Sequence, residues 1–221
     1  MNILTLNYSF SSLLIFIRTI TDLTIINSEI LDLSLYLSKL ALFIITAIYN
    51  IDFSRNFITN TTCNNEISNV LTYNNYDYLI NASLFLYQND IEFVYHHLLS
   101  IICITMCQYY NYHQIALFTL LLFNLSSPYL SIAKIFRMNK NKLMANLNFI
   151  LFAIIFFICR ISTFSYILYI GLYDFNNSYD INDSYYLLVI INSCALLILQ
   201  LQMAWMYKII MIIKNEFKIL K

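Results

Sequence analysis

From Asn89 to Lys142 the chain reads as two apolar runs of helix length, separated only by a short polar tip around Gln108 to Gln114. Similar runs recur along the chain, each of about 20 residues, the length that crosses a hydrocarbon core of roughly 30 Å at 1.5 Å per residue. A backbone in lipid must satisfy its own hydrogen bonds, so only helices and closed barrels can span it. Strand-like alternation of apolar and polar residues is absent, which leaves an all-α, polytopic transmembrane helix bundle. Composition agrees with this: 60% of residues are hydrophobic, 11% are charged, and the mean hydropathy is +0.67. A soluble domain of this size needs more charge to cover itself. The formal net charge is zero, so no nucleic-acid partner is expected, and the lipid bilayer is the expected surrounding.

The spans follow in order. A first, rather polar one covers about Tyr8–Ile26 and carries Arg18 and Asp22, spaced to pair on one helix face. A second runs from Leu33 to Ile51. The segment Asp52–Asn75 is rich in Asn and Thr and reads as a loop without helical periodicity. A weaker third span covers Tyr76–Gln88. The two central helices then cover Ile91–Tyr109 and His113–Ile135, and the last two spans Leu143–Tyr173 and Tyr185–Ile213. No Lys or Arg precedes the first run, so the basic start of a cleaved signal peptide is missing.

Charge orients the bundle. Lys134, Arg137, Lys140 and Lys142 crowd one connection, and Lys208, Lys214, Lys218 and Lys221 crowd the tail; the connection between the last two spans holds only Asp174, Asp180 and Asp183. The positive-inside rule puts both basic regions in the cytosol, which gives seven spans with the N-terminus lumenal and the C-terminus cytosolic. The sequons at Asn60, Asn176 and Asn182 then face outward.

The chain has a single glycine, Gly171, and a single proline, Pro128, so GxxxG contacts cannot occur and small-residue packing motifs are weakened. Cys103, Cys107, Cys159, Cys194 and Cys63 lack metal-site spacing and read as small buried hydrophobes. No metal and no resident cofactor is expected.

The polar groups inside the central runs are the candidate site, because unpaired polarity in lipid is costly. His97 and Leu125 each lie 14 residues from Asn111, hence about 21 Å from the hairpin tip. The pair His96-His97 and the cluster Asn124–Pro128 therefore share one depth on neighbouring helices. Pro128 cannot donate to the carbonyl of Asn124, which predicts a kink and a free acceptor there. Glu92 stands one turn before His96 and Ser100 one turn after it, extending a polar stripe. The bland reading has a histidine bonded to Asn124 or Ser126 and simply joining two helices. Arg160 is a second intramembrane charge, expected to snorkel, to pair with Asp77 at the outer end of the third span, or to hold a lipid phosphate.

At these residues the chain resembles the TLC family, the membrane domain shared by ceramide synthases and related lipid-handling proteins. Asp90-Ile-Glu-Phe-Val-Tyr-His96-His97 is similar to the family's carboxylate stretch followed by two histidines. Asn124-Leu-Ser-Ser-Pro-Tyr-Leu-Ser-Ile-Ala-Lys134 is similar to its acidic-x-Ser segment. Phe156-Phe-Ile-Cys-Arg160 resembles a Phe-Phe-x-x-Arg element, and Met203-Ala-Trp205-Met-Tyr207-Lys208 the closing Trp-x-Tyr-Lys. The resemblance implies a six-helix core preceded by one N-terminal span. Residues 1–32 would form that span and its connector, 33–214 the TLC-like domain, and 215–221 a basic cytosolic tail. It also implies the endoplasmic reticulum.

The departures from the family pattern shape the functional expectation. Ceramide synthases carry His-Asp where this chain has Phe123-Asn124, a second Asp at Ser127, and many relatives have Asp at Asn81. Acyl transfer needs a base and a carboxylate to stabilise the imidazolium that forms. The Ser126-Ser127-Pro128 sequence instead resembles the non-synthase branch, which is tied to membrane lipid composition. The leading expectation is a lipid-homeostasis protein binding a membrane lipid or acyl chain around His96/His97, with Asn124, Ser126, Ser127, Ser100 and Arg160 contacting it. The alternative is a divergent ceramide synthase, an acyl-CoA-dependent sphingoid base N-acyltransferase with His96, His97 and Glu92 as its catalytic groups. A structural membrane subunit with a degenerate site is the third reading. A homo-oligomer stays open among the expected partners.

Overall fold

The structure is a computed structural model that describes residues 25–51, 64–177 and 184–219. Among the described residues it is a bundle of helices with no strand. Helix α1 spans Ile25–Asn50, α2 Asn65–Tyr87, α3 Ile91–Tyr109, α4 His113–Leu125, α5 Ser127–Met138 and α6 Lys142–Phe156; a π-helical segment, Phe157–Thr163, joins α6 to α7, Phe164–Asn177; α8 spans Ser184–Ile219. Stretches within these helices are long and apolar enough to cross a membrane at Glu29–Asn50, Ile91–Tyr109, His113–Met138, Lys142–Ile170 and Val189–Glu216. The chain is an integral membrane helical bundle. The first expected span, Tyr8–Ile26, with Arg18 and Asp22, lies outside the described residues but for its last two positions.

Polar contacts fix the two ends. Lys134 meets Glu29 at 3.1 Å, Arg137 meets Glu216 at 3.1 Å and Lys208 meets Glu92 at 2.6 Å. These pairs gather the start of α1 and α3 with the end of α5 and α8 at a basic end. At the opposite end Asn50 Nδ2 donates to Glu66 Oε2 at 3.1 Å, and the Asn64 backbone N–H donates to His113 Nδ1 at 3.1 Å. His113 also turns its Nε2 to the carbonyl of Gln108 at 3.1 Å. The helical legs therefore alternate in direction.

Two of the expected boundaries that changed have a visible cause. The loop read over Asp52–Asn75 is helical from Asn65 onward, so Asp77 stands mid-helix rather than at an end. Its Asn, Ser and Thr residues form a stripe that bonds α3: Gln108 Nε2 donates to Thr72 Oγ1 at 2.9 Å and to the carbonyl of Ser68 at 3.0 Å, and Asn75 donates to Thr105 Oγ1 at 3.3 Å. The single run His113–Ile135 is two helices broken at Ser126, as Pro128 requires. The sixth run changes winding at Phe157. The seventh continues to Ile219.

Glycine scarcity shows at the helix ends. Asn89, Asn111 and Lys140 take positive φ (59°, 62° and 59°) just past α2, α3 and α5. Each is followed by a residue whose N–H reaches back to the helix: Asp90 to Phe85 at 2.9 Å, Tyr112 to Cys107 at 2.8 Å, Asn141 to Phe136 at 2.9 Å. This is the left-handed helix stop that glycine usually supplies. Asparagine tolerates that conformation, whereas lysine carries a steric cost there.

Helix α4 packs against α1, α2, α3 and the π segment, while α5 packs chiefly on α1 and α6. So α4 holds the axis of the bundle in the half away from the basic end. There Leu42, Phe43, Ile67, Leu71 and Leu117, all fully buried, close a tight core. Below the break α5 leaves the axis for the rim. The space it vacates is the site. The expected close hairpin of the two central helices is loose, since α3 lies mainly on α2 and α8.

Candidate intramembrane site

A cavity of about 680 Å³ occupies the axis beneath Phe123. Its depth is lined by buried Asp77, Tyr78, Asn81, His96, Phe123 and Asn124, with His97, Ser127 and Arg160; exposed Ile91, Glu92, Lys134 and Lys208 surround its opening at the basic end. Phe85, Phe93, Phe149, Phe152, Phe156 and Trp205 supply apolar wall. The volume falls within the roughly 300–1,000 Å³ of ligand pockets, and aromatic walls with a few convergent polar groups are their usual lining.

Helix α3 carries the two histidines on adjacent positions and so onto different faces. His96 is 6% exposed. Its ring lies edge-on to Trp205 at 5.1 Å and 6.4 Å from Phe123. Its Nδ1 has no hydrogen-bond partner. The His97 ring stacks against Phe85 at 5.6 Å and tilts over Tyr78 at 4.8 Å. The two imidazole centroids are 5.4 Å apart.

The expected partners have other engagements. Glu92 does not serve His96: it accepts from Lys208 Nζ at 2.6 and 2.7 Å and from Trp205 Nε1 at 3.1 Å, tying α3 to α8 at the cavity mouth. Lysine and indole, both donors on α8, take the carboxylate that stands one turn from His96. Asn124 turns its amide to the carbonyl of Leu120 at 2.8 Å, so it is not the expected glue for a histidine. Ser126 is fully buried, its hydroxyl unbonded, and Ser100 donates to the carbonyl of His96 at 2.8 Å; neither lines the cavity. Asn124, Ser127 and Arg160 do line it.

Arg160 is placed by two departures from regular helix. The break at Ser126 leaves the last carbonyls of α4 without helical donors. Arg160 Nη2 donates to one of them, that of Phe123, and to Ser127 Oγ at 3.0 Å. The free acceptor that Arg160 takes is thus one residue before the expected Asn124. The guanidinium also lies over the rings of Phe156 at 5.0 Å and Phe123 at 5.6 Å. It does not pair with Asp77, whose carboxylate is bound by Lys39 from α1. That pair, 5% and 1% exposed, is the site feature the sequence reading missed. The signal was a lysine midway along an apolar run.

Among the described residues no cluster of three His, Cys, Asp or Glu side chains could hold a metal ion. Cys103, Cys107, Cys159 and Cys194 are free thiols at buried or half-buried positions.

The family model of the TLC domain matches residues 4–211. The chain belongs to the TLC domain family. The match reaches into the N-terminal segment read above as a separate span. Neither the curated proteins nor the solved structures yield a match to the chain. Within this TLC domain the two histidines, the serine after the broken helix, the arginine of the π segment and the tryptophan of the last helix face one cavity.

Proposed function

We propose that this TLC protein acts in membrane lipid homeostasis by holding a membrane lipid or acyl chain in the axial cavity around His96 and His97, without turning it over. The carrying observation is the cavity itself: about 680 Å³ in the bundle axis, aromatic along its walls and polar at its depth. Its shape suits an amphiphile entering from the basic end, which the positive-inside rule would make cytosolic. An endoplasmic-reticulum membrane fits the family reading and is part of this proposal.

One observation favours the second reading, a sphingoid base N-acyltransferase using acyl-CoA: His96 presents a buried ring nitrogen with no partner. Against turnover stands the engagement of Glu92 with Lys208 and Trp205. A base in acyl transfer gains from a carboxylate that stabilises its protonated form, and asparagine at position 124 cannot supply that.

Purified full-length protein in neutral detergent, analysed by mass spectrometry for co-purified lipid, tests the first reading. A stoichiometric lipid retained by the wild type and lost on narrowing the cavity with Ser131→Phe is the expected result. Incubation with a long-chain base and acyl-CoA is the counter-test. Amide formation that disappears in His96→Ala and His97→Ala would overturn the non-catalytic reading.

A further inference from the structure

We propose that Arg160 receives an oxyanion, the carboxylate or phosphate of the amphiphile in the cavity; this rests on the lipid-binding reading above. The starting point is an imbalance of charge. Of the ionised groups in the depth of the cavity, Lys39 and Asp77 neutralise one another. Arg160 forms no ion pair among the described residues. The other lining carboxylates stand toward the opening: Glu92 is held by Lys208, Asp90 precedes the first turn of α3, and Asp32 lies one turn above Glu29, which takes Lys134.

An intramembrane cation without a counter-ion is costly, and such charges face cavities where something offsets them. The neutral partners of Arg160 offset only part. One carbonyl, one hydroxyl and two aromatic faces accept from it, and its Nε remains buried without a bond. A guanidinium has five N–H donors in a planar fork that matches carboxylate and phosphate. Ser127 Oγ, which accepts from Arg160, and the broken end of α4 hold that fork in place. The unbonded Nδ1 of His96 offers a further polar contact in the same cavity. The site therefore favours an amphiphile with an anionic head seated at depth and its chain along the aromatic wall.

Trp205, the single tryptophan of the chain, stacks on Phe93 at 4.8 Å in the cavity wall and reports occupancy. Full-length protein in neutral detergent is titrated with dibromostearate in mildly alkaline buffer, with dibromostearate methyl ester, and with a brominated phosphatidic acid. Both acids are expected to quench saturably at a concentration at least about tenfold below the ester, from the usual strength of hydrogen bonds to charged groups. Arg160→Gln should weaken the acids about 10- to 100-fold and leave the ester unchanged, while Arg160→Lys keeps the preference. Displacement of the acids by inorganic phosphate at comparable concentration would overturn the amphiphile as the source and assign the site to a free oxyanion; failure to displace them supports the amphiphile head. Equal quenching by acid and ester in the wild type, or a preference retained in Arg160→Gln, overturns the proposal. The wild-type comparison stands even if Arg160→Gln does not fold. Saturable quenching by the ester alone would spare the lipid cavity and sink the oxyanion, whereas no saturable quenching by any probe sinks both.

Discussion

Removing Asp77 should destabilise this protein about as much as truncating a fully buried apolar side chain. Its carboxylate is 1% exposed and bound to Lys39, itself 5% exposed, each about halfway along its helix. Asp77→Leu strands an ammonium among α1, α2 and the cavity. Breaking a buried pair costs about 3–5 kcal/mol, and insertion scales place a lone charged residue at mid-membrane near 3 kcal/mol. We take about 3 kcal/mol, which corresponds to a fall of roughly 10 °C for a chain of this length. Lys39→Met should cost a similar amount, because it strands the buried Asp77 carboxylate, whose other oxygen already has no hydrogen-bond partner. The double variant removes both desolvation penalties, and replaced pairs of this kind are often neutral or stabilising by 1–4 kcal/mol. It should melt within a few degrees of the wild type. Thermal unfolding of the full chain in detergent, followed by size-exclusion fluorescence, gives all four corners of the cycle. A double variant that falls by the sum of the singles would refute the reasoning, since the two groups would then be acting independently.

Three smaller effects follow from the same geometry. Lys140→Gly should stabilise by about 0.5–1 kcal/mol, because lysine holds φ 59° where glycine has no steric cost; an unchanged melting temperature would argue that the turn is already relaxed. Asn141→Ala removes the side chain that accepts from Met144 N–H at 3.2 Å at the start of α6, and should cost about 1 kcal/mol in the same assay. Lys208→Met should lower stability by less than about 1 kcal/mol, since Lys208 and Glu92 are 56% and 50% exposed, and the difference should shrink further at high salt.

Much of this arrangement was readable because membrane insertion makes apolar length decisive. The bounds Ile91–Tyr109 of α3 coincide with the reading from residues alone, and the basic clusters at Lys134–Lys142 and Lys208–Lys214 do meet at one end. Pro128 announced the break in the next helix, and with it the cavity. The failures share a cause. Asn, Ser and Thr between Asn65 and Asn75 lowered the apolar signal, yet Ser68, Thr72 and Asn75 recur at helical spacing and bond α3. A polar helix covered by neighbours hides from hydropathy. Partner choice was equally hidden, since Glu92 and Asp77 each bonded a lysine more than 30 residues away rather than a near neighbour. Spacing along one helix says which groups share a face. It does not say which helix arrives to meet them.

The seven-residue π segment carries a consequence of another kind. A π turn is an α-helix that has accommodated an extra residue. Removing one residue ahead of Arg160 would restore the ordinary winding and turn the guanidinium around the helix away from its present place against α4. The arginine would still be encoded, but it would no longer reach the carbonyl of Phe123. A single-codon deletion could thus discharge the cavity while every polar residue in it survives.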